Sequence, residues 1–203
     1  MTAQNSKNIS WHHSQVSRDS RESAFGNKGA TIWLTGLSGS GKSTIAVALE
    51  KKLFDIGKKA YILDGDNVRF GLNKDLGFSE ADRNENIRRI SEVSRLFADA
   101  SIICISSFIS PYQKDRDDAR TIHADSDLPF IEVFVNTPLE IAEQRDPKGL
   151  YIKARQGLIK DFTGISAPYE IPSNPEIILN THELEIAQSV DNIISYLSDK
   201  NVI

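Results

Sequence analysis

The run Gly36-Leu37-Ser38-Gly39-Ser40-Gly41-Lys42-Ser43 sets glycines, a lysine and hydroxyls at a spacing that suits tetrahedral oxyanions. Glycines let successive backbone N–H groups turn toward one point, and a helix beginning at the lysine presents its positive end to the same point. Such a loop grips phosphate. Lys42 adds a mobile charge, worth on the order of 4 kcal/mol of attraction at about 4 Å and an effective dielectric near 20, before desolvation. Ser43 is the candidate magnesium ligand, with Thr44 next on the helix. Phosphate binding alone fits a GTPase, a motor ATPase or a small-molecule kinase, although the guanine-reading Asn-Lys-x-Asp sequence is absent.

Further groups decide among these. Asp64 and Asp66 flank Gly65, where carboxylates can orient magnesium-bound water or take a proton from an attacking hydroxyl; two solvated turn aspartates are the alternative. Arg69 and Arg83 carry planar guanidinium groups suited to paired hydrogen bonds with oxyanions, and Asn86 neighbours Arg83 on a helix. Arg88 and Arg89 lie a turn later, where solvent or pairing with Glu85 and Glu92 is expected. Phe78 and Phe162 stand beside polar, glycine-containing stretches, positions from which a ring can stack on a base or join a core. The stretch from Arg145 through Pro147, Lys148 and Gly149 to Arg155 reads as a basic lid, with an ordinary surface loop as the alternative.

The elements that must position these groups alternate between strand and helix. Residues 30–35 form a nearly all-apolar strand, as expected for a parallel strand covered on both faces. A helix follows from Ser43 to Ile56, ended by Gly57, and a second strand spans Ala60 to Leu63. The capping box Ser79-Glu80-Ala81-Asp82 opens a helix whose apolar face includes Ile87, Ile90, Val93 and Phe97. Strand-like runs 101–106 and 130–135 enclose a polar helix containing Asp115 to Arg120. Residues 177–179 are a fifth strand, and a last helix runs from about Leu184 to Leu197. The predicted fold is α/β, a doubly wound parallel sheet of about five strands with helices on both faces. Its ligands bind beyond the strands' carboxyl ends, where the glycine loop, Asp64 and the segment after Ser106 all fall.

Composition sets the frame. The 203 residues provide for one domain, expected at 30–203, preceded by a flexible arm at 1–29 rich in Ser, Asn, Lys and Arg. A net charge of −4 gives no reason to expect nucleic acid or an anionic membrane as partner. No apolar run is long enough to span a bilayer and no secretory segment is recognisable, so a cytoplasmic protein is the expectation. The single cysteine, Cys104, excludes an intrachain disulfide and is expected to be core. His12 and His13 are expected to be exposed rather than to hold a metal.

With these motifs assembled, the chain resembles the adenylyl-sulfate kinases, P-loop enzymes that phosphorylate the 3′-hydroxyl of adenosine 5′-phosphosulfate. The blocks that carry the resemblance are Asn8-Ile9-x-Trp11-His12, Gly36 to Ser43, Asp64 to Arg69, Gly71-Leu72-Asn73, Asp75 to Ser79, Asp82-Arg83, Glu85 to Arg89, Ile109 to Tyr112, Asp146 to Tyr151, Phe162 to Ile165 and Pro168-Tyr169-Glu170. The resemblance implies a P-loop NTPase fold with a mobile lid, ATP and Mg2+ at Gly36 to Thr44 with Arg145, and catalysis by Lys42, Asp64 and Ser110. It implies an acceptor held by Asp64, Arg69, Phe78, Arg83, Asn86, Ile105, Ser106, Lys148 and Phe162. In the family the serine at Ser110 has been regarded as a phosphoserine intermediate, which direct in-line transfer does not require. The resemblance further implies a homodimer and a stand-alone kinase, the length leaving no room for a fused sulfurylase. Gln113, where a basic residue is frequent, and Ala142, where cysteine is common, depart from the pattern.

Overall fold

A computed structural model of the chain describes residues 9, 10, 12 and 14–203. Asn8, Trp11 and His13, on which part of the N-terminal reading fell, lie outside these residues. The elements are α1 (Arg18–Phe25), β1 (Ala30–Thr35), α2 (Lys42–Asp55), β2 (Ala60–Asp64), α3 (Glu80–Asp99), β3 (Ile103–Ser107), α4 (Gln113–Ala124), β4 (Phe130–Asn136), α5 (Leu139–Arg145), α6 (Leu150–Arg155), β5 (Ile177–Asn180) and α7 (Ile186–Asp199). All five strands are parallel, in the order β2-β3-β1-β4-β5.

Every residue of β1 is buried, because helices cover both faces of the sheet at its centre. On one face Ile32, Leu34, Ile105 and Val133 meet Ile45, Leu49 and Leu53 of α2 and Val190, Ile193 and Leu197 of α7. On the other, Trp33, Leu63, Cys104 and Phe130 meet Ile87 and Ile90 of α3 and Ala119 of α4. Alternate residues of the central strands β1, β3 and β4 serve alternate cores. Burial pushes the Cys104 thiol up to about 11, so it packs as an inert thiol. Among the described residues no helix is long and apolar enough to cross a membrane.

Helix α3 starts where its cap predicts, with the Ser79 side chain accepting from the Asp82 N–H at 3.2 Å. Asp82 then accepts from the Ser79 hydroxyl instead of the capping backbone, so only half of the box forms. The stretch 18–29 departs from the expected flexible arm. It holds α1, from which Arg18 donates to Asp99, Ser126 and Asp127, and the nearly fully buried Asn27, which donates to Ser101 O at 2.8 Å and accepts from Lys59 N at 3.0 Å. Its polar composition hid these contacts, since they are hydrogen bonds rather than apolar packing.

Below the sheet's carboxyl rim lies a buried ion network. Arg116 of α4 is 1% exposed; it donates to Glu132 Oε1 at 2.8 Å, to Ser110 O at 2.6 Å, to Glu170 O at 2.7 Å and to Gln113 Oε1 at 2.9 Å. Arg120 joins Glu132 to Glu176. Gln113, the departure from the family pattern, thus supplies an acceptor that a lysine or arginine would not. Removing Arg116 leaves the buried Glu132 with Arg120 as its one cation and frees three further acceptors, a loss of up to about 3–5 kcal/mol. Arg116→Met should therefore lower the urea unfolding midpoint by that equivalent at unchanged slope, and Arg116→Met with Glu132→Leu should regain much of it; an unchanged midpoint in the single variant would contradict the role.

Candidate active site

The phosphate loop leaves β1 through two positions that only glycine fits. Gly36 has φ +152° and a Cβ there would lie 2.5 Å from Val135 O; Gly39 has φ +73° and a Cβ would lie 2.8 Å from Ala142 O. The loop folds back on α2, and Lys42 in the first turn donates to Gly36 O at 2.9 Å and Leu37 O at 2.7 Å. Burial outweighs the attraction of Asp64 and lowers the Lys42 ammonium to about 7. The loop therefore holds an ammonium that loses its proton near neutral pH.

At the end of β2, Asp64 accepts from the Ser43 hydroxyl at 2.8 Å and from the Asp66 N–H at 3.0 Å. The first hydrogen bond ties the start of α2 to the strand two places away in the sheet. Asp66 pairs instead with Lys148, which reaches it from the segment between α5 and α6. That segment is the expected lid. It has a small core of its own, Ala142, Tyr151, Ala154 and Phe162, against which Leu37 packs, and Tyr151 donates to Ser38 O at 2.9 Å.

Opposite the loop, Arg69 donates to Leu76 O and Gly77 O, both at 3.0 Å, and lies 4.4 Å from the centre of the Phe78 ring. Arg83 donates to Phe78 O at 2.9 Å, Asp161 O at 2.7 Å and Thr163 Oγ1 at 3.1 Å. The two guanidinium groups thus fix a ring that is 63% exposed. Arg69 keeps Nε and Nη2 without hydrogen bonds among the described residues. Asn86 is buried and accepts from Asn73 Nδ2 at 2.9 Å. Phe162 is buried edge-on to Tyr151. Arg88 and Arg89 pair with Glu85, and Arg89 also with Asp75, as their place a turn later predicts.

One cleft of about 1080 Å³ brings together Ser38 to Thr44, Asp64, Arg69, Phe78, Arg83, Asn86, Ser110, Arg145, Lys148 and Phe162. Ile105 and Ser106 are not among its walls. Ile105 points into the core beneath α2, and the Ser106 hydroxyl meets Ser94 of α3 at 2.8 Å; the strand's contribution to the cleft is Ser107, followed by Phe108 and Ile109. Ser110 is 1% exposed at φ 42°, its hydroxyl accepting from the Trp33 indole at 3.1 Å. Thr181, not foreseen, donates to Ser40 O at 2.8 Å and accepts from Arg145 through its carbonyl at 2.7 Å. Its one sequence signal is its place just beyond the fifth strand, at the rim where ligands bind.

A five-stranded parallel sheet in this order, with a phosphate loop facing a carboxylate and a separate arginine–aromatic platform, defines a P-loop kinase. The family model for adenylylsulphate kinase matches residues 28–180. The chain is 60% identical to the adenylyl-sulfate kinase of Penicillium chrysogenum, covering 96% of both chains, and 61% identical to that of Saccharomyces cerevisiae, covering 97% of this chain and 96% of the other. The structure of the Mycobacterium tuberculosis APS kinase CysC in complex with AMPPNP and APS is similar at a TM-score of 0.82 and 50% identity, over 85% of this chain and 99% of that one. The chain belongs to the adenylyl-sulfate kinase family.

The position of Lys42 has a pH signature. A phosphate beside it favours the ammonium, so the bound lysine titrates above the value of about 7 in the free protein. Between those two values binding takes up a proton, and affinity falls as pH rises. Calorimetry of ADP binding at pH 8 in buffers of different ionisation enthalpy should show up to one more proton taken up by the wild type than by Lys42→Arg, whose charge does not titrate; at pH 6 the difference should vanish. Equal uptake at pH 8 would contradict the assignment.

Proposed function

We propose that the chain transfers the γ-phosphoryl group of ATP to the 3′-hydroxyl of adenosine 5′-phosphosulfate, giving 3′-phosphoadenylyl sulfate and ADP as a step in sulfate activation. The observation that carries this reading is the Phe78 platform with Arg69 and Arg83, placed across one cleft from the phosphate loop. An exposed aromatic face beside two guanidinium groups suits a base joined to an anionic head group, which is the chemistry of the acceptor. Arg69 and Asn86 would meet the phosphosulfate, Phe78 and Phe162 the acceptor's adenine, and Arg145 with Thr181 the far end of ATP.

Ser43 and Asp64 suit magnesium: both are hard oxygen donors, Ser43 exposed and Asp64 half-buried, and among the described residues no group of three His, Cys, Asp or Glu side chains offers a fuller cage. Magnesium commonly takes one or two protein oxygens and completes its shell with phosphate and water. When bound with ATP it would neutralise charge on the β- and γ-phosphate oxygens. Lys42 follows the charge of the migrating phosphoryl group, and the loop N–H groups hold the inner phosphates. Asp64 accepts the proton of the attacking hydroxyl. Lys148 and the lid exclude water from the cleft, limiting hydrolysis. We read Ser110 as a positioning residue, since its hydroxyl is engaged by Trp33 and its carbonyl by Arg116. We extend the reading to a homodimer on the strength of the resemblance.

ADP release from magnesium-ATP should rise at least tenfold when adenylyl sulfate is added, and more than with nucleosides or small hydroxy acids; equal rates with and without it would overturn the reading. Asp64→Asn should lower kcat by on the order of 10²–10⁴ with little change in KM for adenylyl sulfate. Phe78→Ala should raise that KM on the order of tenfold while leaving KM for ATP in place, matching loss of one stacked base. A rise in both KM values would place Phe78 in the scaffold instead.

A further inference from the structure

Among the described residues, buried side-chain oxygens without a hydrogen-bond partner occur at Asn73, Ser101 and Ser107. Of these only Ser107 lines the cleft, where it is 3% exposed. A buried hydroxyl without a partner weakens a fold that alanine at the same position would not weaken. Its presence asks for a partner that arrives from the cleft.

The sheet shows where that partner lies. Strand β3 runs between β1, which leads into the phosphate loop, and β2, which ends at Asp64. Ser107 stands in register with Leu34 of β1 on one side and Asp64 of β2 on the other. Paired residues of adjacent parallel strands share a face, and Leu34 and Ile105 both point to the α2 side. Ser107 and Asp64 therefore face the first turn of α2, about 4.8 Å apart in the strand-to-strand direction. The Asp64 carboxylate on that face already reaches Ser43. The Gly65 N–H donates to Ser107 O at 3.0 Å and fixes the serine backbone.

We propose that the Ser107 hydroxyl donates a hydrogen bond to the terminal phosphoryl group of the bound nucleoside triphosphate, midway between the phosphate loop and Asp64. The proposal rests on the kinase reading of this cleft. The loop N–H groups serve the inner phosphates. The group in transit must cross from the end of β1 to the end of β2, and the strand between the two ends in Ser107. A fixed donor there meets charge on the equatorial oxygens during transfer without reorganising.

The test compares Ser107→Ala and Ser107→Thr with wild type in three measurements: unfolding temperature without nucleotide, calorimetric affinity for magnesium-AMPPNP and magnesium-ADP, and kcat with adenylyl sulfate. Ser107→Ala should unfold at the same temperature or slightly higher, bind ADP within about twofold of wild type, and bind AMPPNP on the order of tenfold more weakly. Ser107→Thr, which keeps the hydroxyl, should retain the wild-type ratio of the two affinities. AMPPNP binding unchanged in Ser107→Ala would overturn the proposal, and so would equal weakening of both nucleotides with a lowered unfolding temperature. Failure of the acceptor assignment is separate: wild type would then not respond to adenylyl sulfate, while the AMPPNP-to-ADP comparison would still report on Ser107.

Discussion

A parallel sheet delivers the carboxyl ends of all its strands to one rim, and every group in this cleft depends on that constraint. The order β2-β3-β1-β4-β5 puts the end of β1, which becomes the phosphate loop, two strands from the end of β2, which carries Asp64, with β3 between them. The Ser43–Asp64 hydrogen bond closes that gap at 2.8 Å. The start of α2 and the Asp64 carboxylate are thereby held side by side at the rim. The proposed in-line transfer depends on such proximity, with little covalent work left for the protein.

Rigidity at the rim comes from polar groups buried beneath it. Arg116 ties the carbonyl of Ser110 to Glu132 in β4 and to the carbonyl of Glu170, so the loop after β3 cannot shift without disturbing the sheet. The Tyr169 hydroxyl is bonded to Thr35, which also donates to Ile109 O at 2.7 Å. The platform opposite is built differently. Phe78 is flanked by Arg69 and Arg83, which hydrogen-bond to neighbouring carbonyls, and remains exposed. The lid has a separate small core and meets the far side through Lys148 and Asp66, a contact between two exposed side chains that costs little to break.

Much of this was legible in the sequence where a local pattern has a local cause. The glycine loop, the apolar β1, the Ser79 cap and the Asp64 turn each follow from a few adjacent residues. The third strand shows the limit. Ile103 to Ser107 are all buried, so no alternation tells which serine faces the rim, and Ser106 rather than Ser107 was the expected contact. The register with β1 and β2 decides it, and register is set by the whole sheet. Thr181 reaches Ser40 only because β5 lies two strands from β1, a fact of topology. Arg116 sits in a helix rich in charge and reads as solvated; the signal was its partner, Glu132, alone in the apolar run of β4. The docked α1 was hidden because polar side chains hold it.

The proposed transfer is direct, from the loop of β1 to the hydroxyl beside Asp64, with Ser110 engaged by Trp33 and taking no covalent part. The stereochemical course at a γ-phosphorus made chiral by oxygen isotopes distinguishes the two routes. A single in-line transfer predicts inversion of configuration in the 3′-phosphoryl product. Retention would mean two successive displacements through a phosphorylated residue and would rule out direct transfer.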